Sequence, residues 1–444
     1  MSHAAKKKPS PAPGRATSAP LGEKQEIELE VDTLTNLGEG LGRAEIPSPG
    51  AFEAATAPGD PVSGTAGPPA PSRWVVMLPF ALPGERVVAR VWHNAANFSR
   101  ADLVRVLRPS PARVEPRCPL FGRCGGCQYQ NLAYPEQLAW KTRITAELLK
   151  RLGGVEFPVS PCHPSPRQYN YRTKITPHFY RADAEIGFLA AGRRRIVDVP
   201  ACPIATEAVN DALPRVREET RANASRHKRG ATLLVRETAT GVVTDFRATA
   251  LETLGTLRLR FPAGDFFQNN PFILPDFTAY AIRAASGGGE CAHLLDTYCG
   301  SGLFALAGAP EFESVHGVEI SPEAVANATE NARANGISNA VFTAASADGI
   351  FDTGHQGARP LPPAGKTAVL MDPPRRGSDE AFLGQLLRYA PRRVVYVSCA
   401  PDTQMRDLRP LLSGGYEIEA VQPFDLFPQT RHIENIITLR RKTS

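Results

Sequence analysis

The chemistry in this chain starts from a thiol. Cys399 closes the apolar run Val394-Val395-Tyr396-Val397-Ser398 and opens into Ala400-Pro401-Asp402. A cysteine at the end of a buried strand is a candidate nucleophile, because its thiolate is intrinsically reactive and the strand end holds it at the rim of a site. Three further segments carry chemistry-bearing residues at short spacing: Asp296-Thr297-Tyr298-Cys299-Gly300-Ser301-Gly302, Asp372-Pro373-Pro374-Arg375-Arg376-Gly377, and Pro428-Gln429-Thr430-Arg431-His432-Ile433-Glu434. The first is a glycine loop where missing β-carbons let a ligand approach the backbone. The last offers a carboxylate for acid–base work.

Glu319 ends the next strand-like run after the glycine loop, a distance that suits a carboxylate accepting from both hydroxyls of a ribose. Ser321-Pro322 then start a helix as N-cap and first-turn proline. To this point a nicotinamide dinucleotide and S-adenosylmethionine fit equally. Asp372-Pro373-Pro374 at a strand end favours the methyl donor, since that acidic corner is familiar from methyltransferases acting on nucleobases. Gln268, in Asp265-Phe266-Phe267-Gln268-Asn269-Asn270, stands just before the sheet segment and is placed to reach the donor's polar end.

Three of the eight cysteines crowd into Cys118-x5-Cys124-x2-Cys127. In a large chain with no secretory pattern this clustering reads as a metal-ligand set rather than a disulfide framework.

The elements that must position these groups are legible as alternation. From Phe266 onward, strand-like runs (293–297, 314–319, 341–343, 367–371, 393–398) alternate with helix-like ones (303–308, 322–335, 380–389, 402–412), which predicts a mainly parallel sheet with helices on both faces. Ligands of such sheets sit beyond the carboxyl ends of the strands, where each motif named so far falls. Upstream, short strands punctuated by Gly and Pro between Glu26 and residue 107 predict a small β-barrel, interrupted by a Pro/Ala/Gly-rich loop insertion at 46–72. Residues 108–262 form a middle region with the cysteine cluster, an amphipathic helix around Tyr134 to Leu152, and basic stretches at Tyr169–Lys174 and Arg193-Arg194-Arg195. Residues 1–25 are a basic tail of low apolar content, predicted to be disordered.

The whole chain, 444 residues with 42% apolar and 22% charged, is that of a folded multidomain protein. Lys and Arg number 51 against 45 Asp and Glu, an excess of 6 that is compatible with a polyanionic partner and does not demand one. No apolar run approaches the roughly 18 residues that cross a bilayer, and no signal-peptide pattern is present. A cytoplasmic monomer with no membrane association is the expectation.

Taken in order, these motifs resemble the uracil-5 RNA methyltransferase family, whose members make 5-methyluridine in tRNA or large-subunit rRNA. The likeness rests on Asp265-Phe-Phe-Gln-Asn-Asn, Asp296-x-Tyr-Cys-Gly-x-Gly, Asp372-Pro-Pro-Arg-x-Gly, Ser398-Cys399 with Arg406-Asp407, and Pro428-x-Thr-x-His-x-Glu434. It implies a multidomain α/β protein: an N-terminal OB-like TRAM barrel (26–107), a central α+β domain bearing an iron–sulfur cluster (108–262), and a C-terminal Rossmann-like methyltransferase domain (263–444). By the same resemblance Gln268, Tyr298, Glu319 and Asp372 contact S-adenosylmethionine, with Asp348 near the adenine. Cys399 is the nucleophile and Glu434 the base. Cys118, Cys124, Cys127 and the distant Cys202 hold a [4Fe-4S] cluster. Cys162 is the rival fourth ligand and zinc the rival metal, while Cys291 and Cys299 are structural. The RNA partner is expected to be large-subunit rRNA in preference to tRNA.

The residues also say why such chemistry needs them. Uracil C5 is a weak nucleophile, so electrons must be pushed into the ring by thiolate addition at C6 before C5 takes a methyl group, and the surplus C5 proton must then be removed. Arg406, His432 and Arg431 are unranked candidates to stabilise the thiolate; Tyr169, Tyr171, Arg172 and Lys174 are candidate RNA contacts. Ala400 stands where the family commonly has Asn.

Overall fold

The computed structural model describes residues 20–46, 72–180, 185–192, 195–227, 230–347, 351 and 360–442. Most of the basic tail, the insertion, Arg193-Arg194 and Asp348 lie outside the described residues. The chain forms two compact units, Met1–Pro111 and Ala112–Ser444.

The first unit is a closed five-stranded barrel of β1 (Glu26–Leu34), β2 (Glu39–Ile46), β3 (Ser72–Pro79), β4 (Arg86–Asn94) and β5 (Phe98–Arg108), in the order β1-β2-β3-β5-β4 with β4 returning to β1. Period-2 alternation along β1 sends Leu29 and Val31 inward, onto Val76, Leu78, Val87 and Val91, and sends acids outward. Those acids meet arginines of neighbouring strands: Glu26 with Arg90, Glu28 with Arg86, Glu30 with Arg108 and Asp32 with Arg43. Each pair is exposed and worth little alone. Gly42 is required for closure, since a β-carbon there would lie 2.2 Å from the Glu30 carbonyl oxygen.

The second unit is built on a seven-stranded sheet. Its strands are β6 (His293–Asp296), β7 (Ser314–Glu319), β8 (Ala340–Ala344), β9 (Thr367–Met371), β10 (Arg393–Ser398), β11 (Tyr416–Phe424) and β12 (Glu434–Arg441), in the order β8-β7-β6-β9-β10-β12-β11. The first five are parallel; β12 runs antiparallel to both β10 and β11. Strand side chains alternate between two cores. Leu294, Leu370, Val395 and Val397 join Phe277 and Ala281 of α3 (Leu274–Ser286) and Phe304 of α4 (Leu303–Gly308) on one face. Leu295, Val369, Val394 and Tyr396 join Phe382 and Leu386 of α6 (Glu380–Tyr389) and Met405 and Leu408 of α7 (Pro401–Ser413) on the other. Val394, Val395 and Val397 are fully buried, each contributing about 1.5–3 kcal/mol of burial. The predicted α/β layering is therefore present, and α5 (Pro322–Ala334) starts at Ser321 as expected, with the Ala324 N–H donating to its hydroxyl at 3.3 Å.

Residues 112–262 belong to the same compact unit. Helix α1 (Tyr134–Leu148) ends in a wide turn over Leu149–Gly153, whose Leu149 enters the second core. Helix α2 (Glu207–Ala222) packs through Val209, Leu213 and Val216 on Ile175 and Val235 of short antiparallel strands. Among the described residues no helix is long and apolar enough to cross a membrane.

Candidate active site

The carboxyl ends of β6, β7, β9 and β10 bring the predicted residues together. At the end of β6, Asp296 is fully buried and its Oδ2 accepts from the Ala305 N–H at 3.0 Å, fastening the glycine loop to the start of α4. Gly300 and Gly302 have φ of +51° and +93°, which only glycine adopts without strain. Glu319, ending β7, accepts from the Gly300 N–H at 3.2 Å and the Ser321 N–H at 3.0 Å, one at each oxygen, so the carboxylate is aimed across the loop. Tyr298 sits edge-on to Phe382 and its hydroxyl is 3.3 Å from the Ser378 hydroxyl. Gln268 is 5% exposed and its Oε1 has no partner among the described residues, a buried acceptor left for a ligand's donor. Burial pushes Asp372 up to about 7, and burial together with Asp372 does the same to Asp296. An anionic pocket short of a cation suits a donor that carries a sulfonium and an ammonium. Phe266 and Ile320, 75% and 73% exposed, adjoin Gln268 and Glu319 in sequence.

The other half of the site is where β10 and β12 meet. Ser398 and Asn435 are cross-strand partners, so Cys399 follows one and Glu434 precedes the other at the same sheet end. Burial pushes the Cys399 thiol up to about 11; the nearby Glu434 and Asp372 add to this, and Arg375 opposes it by charge and by a hydrogen bond. Glu434 is 3% exposed and held well above the usual carboxylate range by burial and by Asp372, with Arg375 and Lys141 pulling the other way.

The structure changes the expectation for what serves the thiolate. Arg375, in the Pro-Pro corner, faces Cys399, while the three candidates named from sequence act elsewhere. Arg406 is paired with Asp407 at 2.6 Å and donates to the Arg376 carbonyl. Burial and four surrounding cations hold His432 down to about 3, so its ring is neutral. The charge of Arg431 bears on Tyr129 and His432, and nothing places it at Cys399. Arg375 lies in the Asp372-Pro373-Pro374 motif, far in sequence from both Cys399 and Glu434, so only the fold brings it to the thiol. Asp407 is a hub: it accepts from the Ser378 N–H at 2.7 Å, the Tyr396 hydroxyl at 2.8 Å and Arg406 Nε at 2.8 Å. Gly377, at φ +78°, has no room for a β-carbon, which would lie 2.5 Å from Asp407 Oδ2.

Two candidate RNA contacts are also reassigned. Tyr171 is fully buried and donates to the Pro428 carbonyl at 3.0 Å, and Lys174 donates to the Gly264 and Asp265 carbonyls at 2.8 and 3.0 Å, bracing the segment that leads to Gln268. Tyr169 is half-buried beneath Arg117.

Cys118, Cys124, Cys127 and Cys202 are free thiols within electrostatic reach of one another, and Cys127 is pushed up to about 12, chiefly by burial. Backbone N–H groups of Gly126, Ala205 and Ile204 and the Gln130 side chain point at these sulfurs, a donor set that suits thiolates. Among the described residues, however, no three such side chains meet in a geometry that holds a metal ion. Cys162 faces Asp425 and Lys141, away from this group. Cys291 and Cys299 are buried.

This sheet order and these strand-end acids define the methyltransferase fold. An archaeal structure agrees over nearly the whole chain: the tRNA (uracil-54, C5)-methyltransferase of Pyrococcus abyssi, in complex with S-adenosyl-L-homocysteine, superposes with a TM-score of 0.66 at 22% identity, covering 93% of this chain and 100% of that one. The tRNA (Uracil-5-)-methyltransferase family model matches residues 242–442. The tRNA (uracil(54)-C(5))-methyltransferase of Schizosaccharomyces pombe is 38% identical over 454 residues, spanning 96% of this chain and 80% of that protein. The Saccharomyces cerevisiae protein of the same name is 32% identical, spanning 83% and 69%. The chain belongs to the tRNA (uracil-5-)-methyltransferase family, S-adenosylmethionine-dependent enzymes that methylate uracil C5 in RNA.

Proposed function

We propose that the chain methylates the uridine at position 54 of tRNA through a transient bond between Cys399 and uracil C6. The observation that carries the mechanism is the convergence of Cys399, Glu434 and Arg375 at one sheet end, beside Asp372. The choice of tRNA follows the names of the two yeast relatives, and nothing in them favours the large-subunit rRNA expected from the sequence.

S-adenosylmethionine supplies an electrophilic methyl group. Gln268, Tyr298, Glu319 and Asp372 would hold it, with Glu319 on the ribose and Asp372 beside the reacting end. Cys399 adds to C6, C5 gains the nucleophilic electron pair and takes the methyl as its bond to the donor sulfur breaks and leaves S-adenosylhomocysteine, and Glu434 removes the surplus C5 proton as the C6–S bond breaks and returns the thiolate. Arg375 favours the thiolate against the burial that holds the Cys399 thiol up at about 11. A methyltransferase acting at a base nitrogen would need neither Cys399 nor Glu434.

Cys118, Cys124, Cys127 and Cys202 are the residues that would hold a [4Fe-4S] cluster, a reading supported by their spacing and N–H donors. Methyl transfer requires no electron, so such a cluster would have a structural or RNA-positioning role. Iron and sulfide assay of anaerobically purified protein tests this, and zinc without sulfide would refute it. The N-terminal barrel is assigned as a TRAM-like RNA-binding module.

The deciding experiment incubates the protein with labelled S-adenosylmethionine and either tRNA or large-subunit rRNA, followed by nucleoside mass spectrometry. Label in 5-methyluridine from tRNA, lost in Cys399→Ala, supports the reading. Label in another nucleoside, or activity surviving without Cys399, overturns it.

A further inference from the structure

Helix α1 buries polar side chains at four-residue spacing, Gln137, Lys141 and Thr145, where an amphipathic helix ordinarily places apolar ones. The Thr145 hydroxyl donates back to the Lys141 carbonyl. The other two side chains grip the segment that leads into β12. Gln137 Nε2 donates to Gln429 Oε1 at 3.0 Å, and the Gln429 N–H donates to Gln137 Oε1 at 3.0 Å. One turn on, Lys141 Nζ donates to Asp425 Oδ1 at 2.5 Å and to the Phe427 carbonyl at 3.3 Å. Both members of that ion pair are fully buried. Gln429 is held at φ +69°, and Glu434 lies five residues beyond it.

A buried ion pair adds little net stability, because desolvation offsets the attraction, and an apolar pair of similar volume would pack as well. What the pair visibly does is hold the 425–427 segment against α1. We propose that Lys141 is a positioning residue for the proton-removal step, fixing the 425–434 segment from α1 and supplying buried positive charge that favours the ionised Glu434. This rests on the covalent route proposed above. In that step the Glu434 carboxylate takes the C5 proton, the C5–H electron pair forms the C5–C6 double bond, and the C6–S bond breaks with its pair returning to Cys399 sulfur.

The titratable and charged groups facing Glu434 come from three other elements: Asp372 and Arg375 from the turn after β9, the Cys399 thiol after β10, and Lys141 from α1. Asp372 disfavours the carboxylate, while Arg375 and Lys141 favour it. Arg375 is exposed and screened by water; Lys141 is not. His432, in the same segment, is neutral and adds no charge.

The test uses the full chain with S-adenosylmethionine and an unmodified tRNA transcript, comparing the wild type with Glu434→Gln, Lys141→Met, Lys141→Arg and the double variant Lys141→Met/Asp425→Asn. Covalent protein–RNA complex is read on denaturing gels, and product release is followed against pH. Complex accumulates in Glu434→Gln, Lys141→Met and the double variant. Release from Lys141→Met is slower by about 10- to 100-fold, its pH limb moves to higher pH, and Lys141→Arg largely restores both. The double variant leaves no charge unpaired, so it keeps the test valid if Lys141→Met alone misfolds. Complex in Glu434→Gln but not in either Lys141→Met background, or release restored in the double variant, overturns the proposal alone. No complex in Glu434→Gln removes the covalent route and the role of Lys141 with it.

Discussion

Cys399 and Glu434 leave neighbouring antiparallel strands at one end of the sheet, one residue beyond and one residue before the cross-strand pair Ser398–Asn435. The backbone ladder thus sets the separation of nucleophile and base. Gln404 fastens that ladder from α7, donating to the Tyr396 and Asn435 carbonyls at 2.8 and 3.1 Å.

Replacing either residue separates the two halves of the reaction. Cys399→Ala should lower 5-methyluridine formation by about 10³-fold or more and abolish the covalent complex with 5-fluorouridine RNA. Glu434→Gln should slow turnover by roughly 10²- to 10⁴-fold while leaving that complex intact, since fluorine at C5 cannot leave as a proton. Denaturing gels beside turnover assays check both.

Arg375 opposes the burial that raises the Cys399 thiol to about 11. In Arg375→Met the thiol should titrate higher still. Alkylation by iodoacetamide at pH 9 should be slower than in the wild type, and the rise in turnover with pH should begin later, with donor affinity little changed. Equal alkylation rates in the two proteins would remove Arg375 from this role.

Burial pushes Asp372 up to about 7, and burial together with Asp372 pushes Asp296 up to about 7 as well. A cationic donor binds the ionised carboxylates best, so its affinity should fall as pH drops through 7 and their protons return, by up to about tenfold per pH unit for each group that must ionise. S-adenosylhomocysteine lacks the sulfonium charge and should lose less. Calorimetric titration of both ligands at pH 6 and 8 reads the difference.

Ala400 is the N-cap of α7 and offers no side chain to its first turn; its own N–H donates to the Ser398 hydroxyl at 3.1 Å. Ala400→Asn should stabilise the protein by about 0.5–2 kcal/mol through a restored cap. Chemical denaturation measures this, and unchanged stability would show that the side chain turns toward the site instead.

The strand and helix alternation from Phe266 onward was legible because fully apolar strands such as Val394–Val397 read differently from amphipathic helices. The strand-end motifs were legible for the same reason, since the period places them at one edge. The partners of those motifs were not. Lys141 is 284 residues from Asp425 and Gln137 is 292 from Gln429, and no local pattern marks a lysine destined for full burial. Tyr171 and Lys174 looked like RNA contacts because polar residues on a short strand give no sign that a distant carbonyl will claim them. The packing of 112–262 with the sheet in one unit depends on such long-range contacts.

Asp407 gathers three donors from a strand, a helix and the turn after β9 without facing the thiol itself. A variant library scored on turnover alone would rank its loss, and that of Gly377, beside the loss of Cys399. The two kinds of failure differ in what survives: Cys399→Ala keeps an intact donor pocket, whereas Asp407→Ala releases the turn that carries both Asp372 and Arg375. Donor retention, rather than loss of turnover, therefore sorts the residues that react from those that hold the reacting residues in place.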